Sequence, residues 1–172
     1  MIRATLSRLD TAGDAVIPSL ARFTFAASLA GYFWASALTK LGDGPFSPSL
    51  GAYAQIFPRA MAAVSYDAGQ LSLWHRLVVL AGTYAEFILP ALIIVGLVTR
   101  LAALGMIGFV VVQSLTDIIG HDADPTAIGA WFDRIPDSAI LDQRLFWITL
   151  FVALIFKGAG PISLDRLVAS KM

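Results

Sequence analysis

The sequence predicts an all-α integral membrane fold: a bundle of four transmembrane helices with a short helical insertion between the first and second. Three observations predict it. The apolar fraction is 58%, against about 45–50% in ordinary globular chains. Charged residues make up only 14%, against about 25%. Mean hydropathy is +0.76 over 172 residues. A chain this short leaves a large share of its surface outside any core, so that much apolar surface calls for lipid.

The elements follow in order. The first twenty residues carry Arg3, Arg8, Asp10 and Asp14 and end near Pro18, a polar lead-in that reads as a surface turn. The apolar stretch behind it is too long for a signal core and is read as retained. The first span covers about 20–41, with no charge between Arg22 and Lys40. The second covers 77–98 and is interrupted by Glu86. The third covers 101–119, with Gln113 and Asp117 towards its far end. The fourth covers 144–157, flanked by Arg144 and Lys157. Its apolar run is short of the usual ~20 residues, so it spans only with snorkelling flanks; a re-entrant or interfacial helix is the alternative. The loop 42–76 opens with Gly42, Gly44, Pro45 and Pro48, all turn formers. Its apolar part, broken at Pro58, reads as one or two short helices. The loop 120–143 holds five aspartates with Trp131 and Phe132, aromatics suited to headgroup depth. The whole chain reads as a single membrane domain.

Four spans place both termini and the second loop on one side. That side carries Arg3, Arg8, Arg22, Arg100, Lys157, Arg166 and Lys171; the other carries Lys40, Arg59, Arg76, Arg134 and Arg144 with seven aspartates. The excess favours cytoplasmic termini, with both long loops outside.

Several classes are excluded or unsupported. Twelve basic and twelve acidic residues give no net charge and no nucleic-acid signature. With no cysteine, disulfide, thiol and thiolate-metal chemistry are absent. The two histidines, His75 and His121, lie at loop edges, and the run His121-Asp122-Ala123-Asp124 is a weak metal pattern. No catalytic residue and no metal site is assigned.

Glu86 carries the most information. It sits about midway along the second span, and a carboxyl group at that depth marks function by default. A lock on the bundle is the competing role. Pro90, four residues on, removes the usual donor to the Glu86 carbonyl. Lys40, Gln113 and Asp117 are its candidate company in a polar pocket opening outward; Lys40 can pair with Asp117 or reach Glu86. Arg22 and Arg100 mark the inner side, and Thr99 is a candidate cap for the third span. Ala27, Gly31 and Ala35 permit close helix approach. Tyr32, Phe33 and Trp34 cannot all face that contact, and a groove they line has the character to take a quinone or lipid ring.

Three anchors resemble the DoxX family of small four-helix membrane proteins. The first is Arg22, Gly31, Phe33 and Thr39-Lys40-Leu41. The second is Glu86, Leu89, Gly96-Leu97-Val98-Thr99-Arg100 and Ala102-Ala103. The third runs from Lys157-Gly158-Ala159-Gly160 to Ser163-Leu164-Asp165. Ser36 and Ala37 stand where the family often has glycine, and the loop 42–76 is longer. The resemblance implies a bacterial inner-membrane protein associated with quinone-linked sulfur oxidation, oxidative-stress oxidoreductase complexes or metal-stress operons. The expected role is a non-catalytic subunit or accessory of a membrane redox or stress-response complex. A quinone-linked oxidoreductase, and a solute or proton pathway through Glu86 and Lys40, are the alternatives.

Overall fold

A computed structural model describes residues 2–171. The fold is 73% helical. The helices are α1 (Ile2–Phe25), α2 (Gly31–Lys40), α3 (Leu50–Ile56), α4 (Pro58–Ala63), α5 (Leu73–Val95), α6 (Thr99–Leu115), α7 (Pro125–Ile128), α8 (Gln143–Lys157) and α9 (Leu164–Ala169). Five-residue π-helical stretches, Ala26–Ala30 and Thr116–Gly120, join α1 to α2 and extend α6. Three helical runs are long and apolar enough to cross a bilayer: Thr5–Lys40, Leu73–Val95 and Thr99–Gly120. Phe23, Leu101 and Val112 face outward, each more than half exposed, which suits a lipid environment and would be costly in water. α8 has 15 residues, about 22 Å at ~1.5 Å per residue, against a hydrocarbon core of ~30 Å.

The polar lead-in expected over the first twenty residues is instead helical and continuous with the first span. Only Pro18 in that stretch breaks helices. It loses one backbone bond and is fully buried, so packing offsets the loss. The loop 42–76 does contain two short helices, α3 and α4. It also contains a two-stranded antiparallel hairpin, β1 (Leu41–Gly44) with β2 (Ser47–Pro48), which the glycines and prolines signalled only as turns. α3 starts on Ser49, whose hydroxyl accepts from the Ala52 amide, and Pro58 both closes α3 and opens α4.

The residues fall into two compact units: Met1–Gly31, Leu89–Ile107 and Trp147–Met172 in one, Tyr32–Ile88 and Gly108–Phe146 in the other. The first unit is organised by Arg22. Its guanidinium donates to the carbonyls of Ile93 (2.8 Å), Ile94 (2.5 Å), Ala159 (2.9 Å) and Ile162 (2.5 Å). Those carbonyls belong to the last turn of α5, where the Ile93 carbonyl also accepts from the Gly96 amide at 3.2 Å, and to the loop after α8. Asp165 completes the clasp. Its carboxylate accepts from the Val98 amide at 2.6 Å and the Thr99 amide at 3.0 Å, while its own amide donates to the Gly96 carbonyl at 2.8 Å. The cap on α6 therefore comes from Asp165, not from a Thr99 hydroxyl. Gly96 has φ +70°, and a Cβ there would stand 2.6 Å from Ser163 Cβ and 2.9 Å from Arg22 Cζ, so only glycine fits. Arg100 is exposed; Arg22 and Asp165 hold the turn between α5 and α6. Phe25 and Phe151 meet edge to face beneath it.

In the second unit a small core of Ala52, Tyr53, Met61 and Val79 fixes α3 and α4 against the start of α5. The Tyr84 hydroxyl and the Arg76 guanidinium donate to the carbonyls of Pro45 and Phe46, tying the hairpin loop to α5.

Candidate functional site

α2 places Ser36 and Lys40 one turn apart, so both side chains lie on one face. α5 brings Glu86 to that face. The Lys40 ammonium donates to Glu86 Oε2 at 2.8 Å, Glu86 Oε1 at 3.1 Å and Ser36 Oγ at 2.6 Å. The Ser36 hydroxyl in turn donates to Glu86 Oε1 at 3.1 Å. Lys40 is 6% exposed and Glu86 3%. All three ammonium hydrogens have acceptors, so the cation has no donor left over. The hydroxyl bridges cation and anion, and the triad is electrically neutral. Burial of each charge is compensated at once by the other, the condition under which an ion pair survives in a low-dielectric interior.

Two residues before Ser36, Trp34 Nε1 donates to the Phe87 carbonyl at 3.2 Å. That carbonyl lies three residues before Pro90, where the ring disturbs the helical bonding pattern. The sequence places the disturbance at the Glu86 carbonyl; the indole instead bonds its neighbour.

Gln113 and Asp117 share no hydrogen bond with Lys40 or Glu86. Gln113 Nε2 donates to the Tyr32 hydroxyl at 2.8 Å. Asp117, inside the second π-helical stretch, accepts from Arg144 at 2.5 Å, and Arg144 also donates to Ser114 Oγ at 2.9 Å. Arg144 is 6% exposed. Of the four polar candidates, then, the structure joins Lys40 and Glu86. It gives Gln113 and Asp117 other partners. Arg22 has only backbone partners among its hydrogen bonds, and Thr99 contributes its amide to Asp165.

Three participants are named in the sequence without being offered as site residues. Ser36 stands at the i−4 position from Lys40, a spacing that puts it within reach. Arg144 reads as a span flank, and its burial has no local signal. Asp165 lies in a polar tail with nothing nearby to mark it as a cap. Around the His121 run, His121 Nε2 meets the Gln55 carbonyl at 2.8 Å, Arg59 pairs with Asp122 at 2.9 Å, and Asp124 caps α7. These residues are engaged in loop structure.

Residues 21–117 match the family model for DoxX. That stretch includes Arg22, the whole Ser36–Lys40–Glu86 triad, the turn between α5 and α6, and Asp117. Comparison with curated proteins and with solved structures gives no match. A family match over 97 of the 172 residues, with three helical runs apolar enough to cross a bilayer, makes this a multi-pass membrane protein that belongs to the DoxX family.

Proposed function

We propose that the chain is a non-catalytic subunit or accessory protein of a redox or stress-response complex in the bacterial inner membrane. The observation that carries this reading is the closed Ser36–Lys40–Glu86 triad. An ammonium with three protein acceptors has no donor left for a substrate, so the deepest charges act as a lock between α2 and α5. The protein then offers partners a fixed helical surface. In the same reading α8 crosses the bilayer and both termini are cytoplasmic. Two sets of bonds support that crossing. Arg144, at the start of α8, bonds Asp117 beyond the C-terminal end of α6. Asp165, shortly after α8, caps the N-terminal end of α6.

Quinone contact is the competing reading. Tyr32 and Trp34 are 45% and 38% exposed, so their rings face outward while Gln113 and the Phe87 carbonyl hold their polar tips. A single preparation separates the two readings. The tagged full chain is extracted from its native membrane in mild detergent, then analysed by native mass spectrometry, visible absorbance and lipid extraction. An assembly of fixed stoichiometry with a cofactor-bearing redox protein is expected, and Glu86→Gln preserves it. Recovery of the chain alone with one bound quinone transfers the role to quinone handling. Proton flux in liposomes that disappears in Glu86→Gln overturns the lock. A C-terminal reporter that scores outside the cell overturns the topology.

A further inference from the structure

A cavity of about 430 Å3 lies at the N-terminal turn of α5, lined by Ser47, Pro48, Tyr53, Leu71, Ser72 and Arg76 among others. Its lining separates into an apolar side and a set of hydrogen-bond donors. Pro48, Ala68, Leu71 and Leu73 are the apolar part. Tyr53 is the informative residue. It is 8% exposed, its ring packs in the small core with Ala52, Met61 and Val79, and among the described residues its hydroxyl makes no hydrogen bond. The ring is held in place, and the hydroxyl remains able to donate to a ligand in the cavity.

Arg76 brings the charge. One of its terminal nitrogens donates to the Phe46 carbonyl at 3.0 Å, which positions the guanidinium and leaves its other N–H groups unused. Ser72 Oγ is 2.8 Å from His75 Nδ1. Among the described lining residues Arg76 alone is charged. The nearby Asp67 carboxylate is occupied by the Gly69 amide and the Gln70 side chain, each at 3.0 Å. The donors and the net positive charge select an oxygen-rich anion. A guanidinium matches the paired oxygens of a phosphate in fork geometry, and a phenolic O–H supplies a third donor. Leu73 and Trp74, the first residues of α5, both face outward at 68% exposure. An exposed tryptophan opening a span is suited to headgroup depth, where phosphate esters are the abundant anions.

We propose that this pocket binds the phosphate ester of an anionic ligand, with the Arg76 guanidinium and the Tyr53 hydroxyl as its donors. The phosphate belongs to a phospholipid headgroup or to a soluble phosphate monoester, and the two are separable. The full chain is purified in a maltoside detergent, which contains no phosphate. It is titrated in one arm with phosphatidylglycerol and in the other with glycerol 3-phosphate, and bound ligand is read by native mass spectrometry. Arg76→Gln is expected to weaken binding about tenfold, the loss of a charge-assisted contact. Tyr53→Phe keeps the ring in the core and is expected to weaken it several-fold. Arg59→Gln removes an exposed arginine outside the cavity and is expected to change nothing. This pattern in the lipid arm assigns a headgroup; in the soluble arm it assigns a phosphate monoester. Retention of neither ligand overturns the proposal. So does an equal loss in Arg59→Gln, or wild-type binding by Tyr53→Phe with an unchanged melting temperature. Should Arg76→Gln fail to fold, the Tyr53→Phe result decides.

Discussion

The two compact units hold a cation by opposite means, Arg22 half-buried in one and Lys40 buried in the other. In the unit containing Arg22, five-donor guanidinium chemistry is directed at main-chain carbonyls. In the unit containing Lys40, a point-charge ammonium meets a carboxylate and a hydroxyl. The first arrangement depends on where the backbone runs, and therefore on Gly96 and the loop after α8. The second depends only on three side chains that α2 and α5 bring together. The difference teaches where each unit tolerates change. A side-chain triad can be replaced by a matched apolar set, whereas carbonyls cannot be mutated away and must keep their donor.

Mutations can break or sharpen this contrast. The largest effect is expected from Glu86→Ala, which strands the Lys40 ammonium in a buried site at a cost of about 3–5 kcal/mol. Glu86→Gln should cost markedly less, because an amide oxygen still accepts from Lys40. The double change Lys40→Met with Glu86→Leu should recover most of the loss, as removal of a whole buried pair often does. Detergent-resistant melting temperature and membrane-inserted yield read all three. A double variant as unstable as Glu86→Ala would mean that the triad holds more than itself.

Arg22→Ala comes next, at roughly 3 kcal/mol, since it leaves several carbonyls without donors. Arg22→Lys is expected to restore little, because one ammonium cannot cover four carbonyls that a planar fork reaches together. Full rescue by lysine would make the first unit a point-charge site like the second and erase the contrast. Gly96→Ala should cost about 1–3 kcal/mol from the positive φ and the crowding against Ser163. Melting temperature again gives the comparison.

Asp165 yields a smaller, pH-dependent effect. Burial raises its pKa, but hydrogen bonds from Thr99 and Val98, with the nearby Arg22 charge, outweigh burial and hold the carboxyl below its ordinary range. A depressed folded-state pKa adds stability that is fully present above the unfolded value of about 3.9 and disappears as pH falls through the lower folded value. Asp165→Asn should therefore lower the melting temperature at neutral pH, by an amount matching a lost helix cap of about 1 kcal/mol. The gap from wild type should close in acid. A gap that persists unchanged below that range would assign the loss to packing. The smallest effect is expected from Arg100→Ala. Its side chain is exposed, and a change in melting temperature beyond that of ~0.5 kcal/mol would reveal a contact the clasp does not contain.

What the sequence makes legible follows the same division. Lys40 and Glu86 stand out because charge is rare inside apolar runs, and their types limit their partners to each other or to Asp117. The spans α5 and α6 stand out by length and hydropathy. The clasp is harder to read, because its acceptors are carbonyls that every residue possesses. Arg22 looks like any basic residue near the end of a span, and Asp165 like any acid in a tail. The motif residues around Gly96 and Ser163 resemble a family pattern, but only the folded chain shows that the pattern encodes one backbone crossing. The helical start of the chain is missed for a local reason: Arg3, Arg8, Asp10, Asp14 and Pro18 mimic a turn, and the burial of Pro18 that offsets its lost bond is a tertiary event.

The Asp165 cap also imposes an order on biosynthesis. α6 receives its first amide acceptors from a residue 66 positions after Thr99. At about 5–20 residues per second, the α5–α6 turn waits several seconds, already translated, before the chain that caps it exists. During that interval the Val98 and Thr99 amides lack their acceptor. A stop codon or frameshift before Asp165 leaves the turn without that cap.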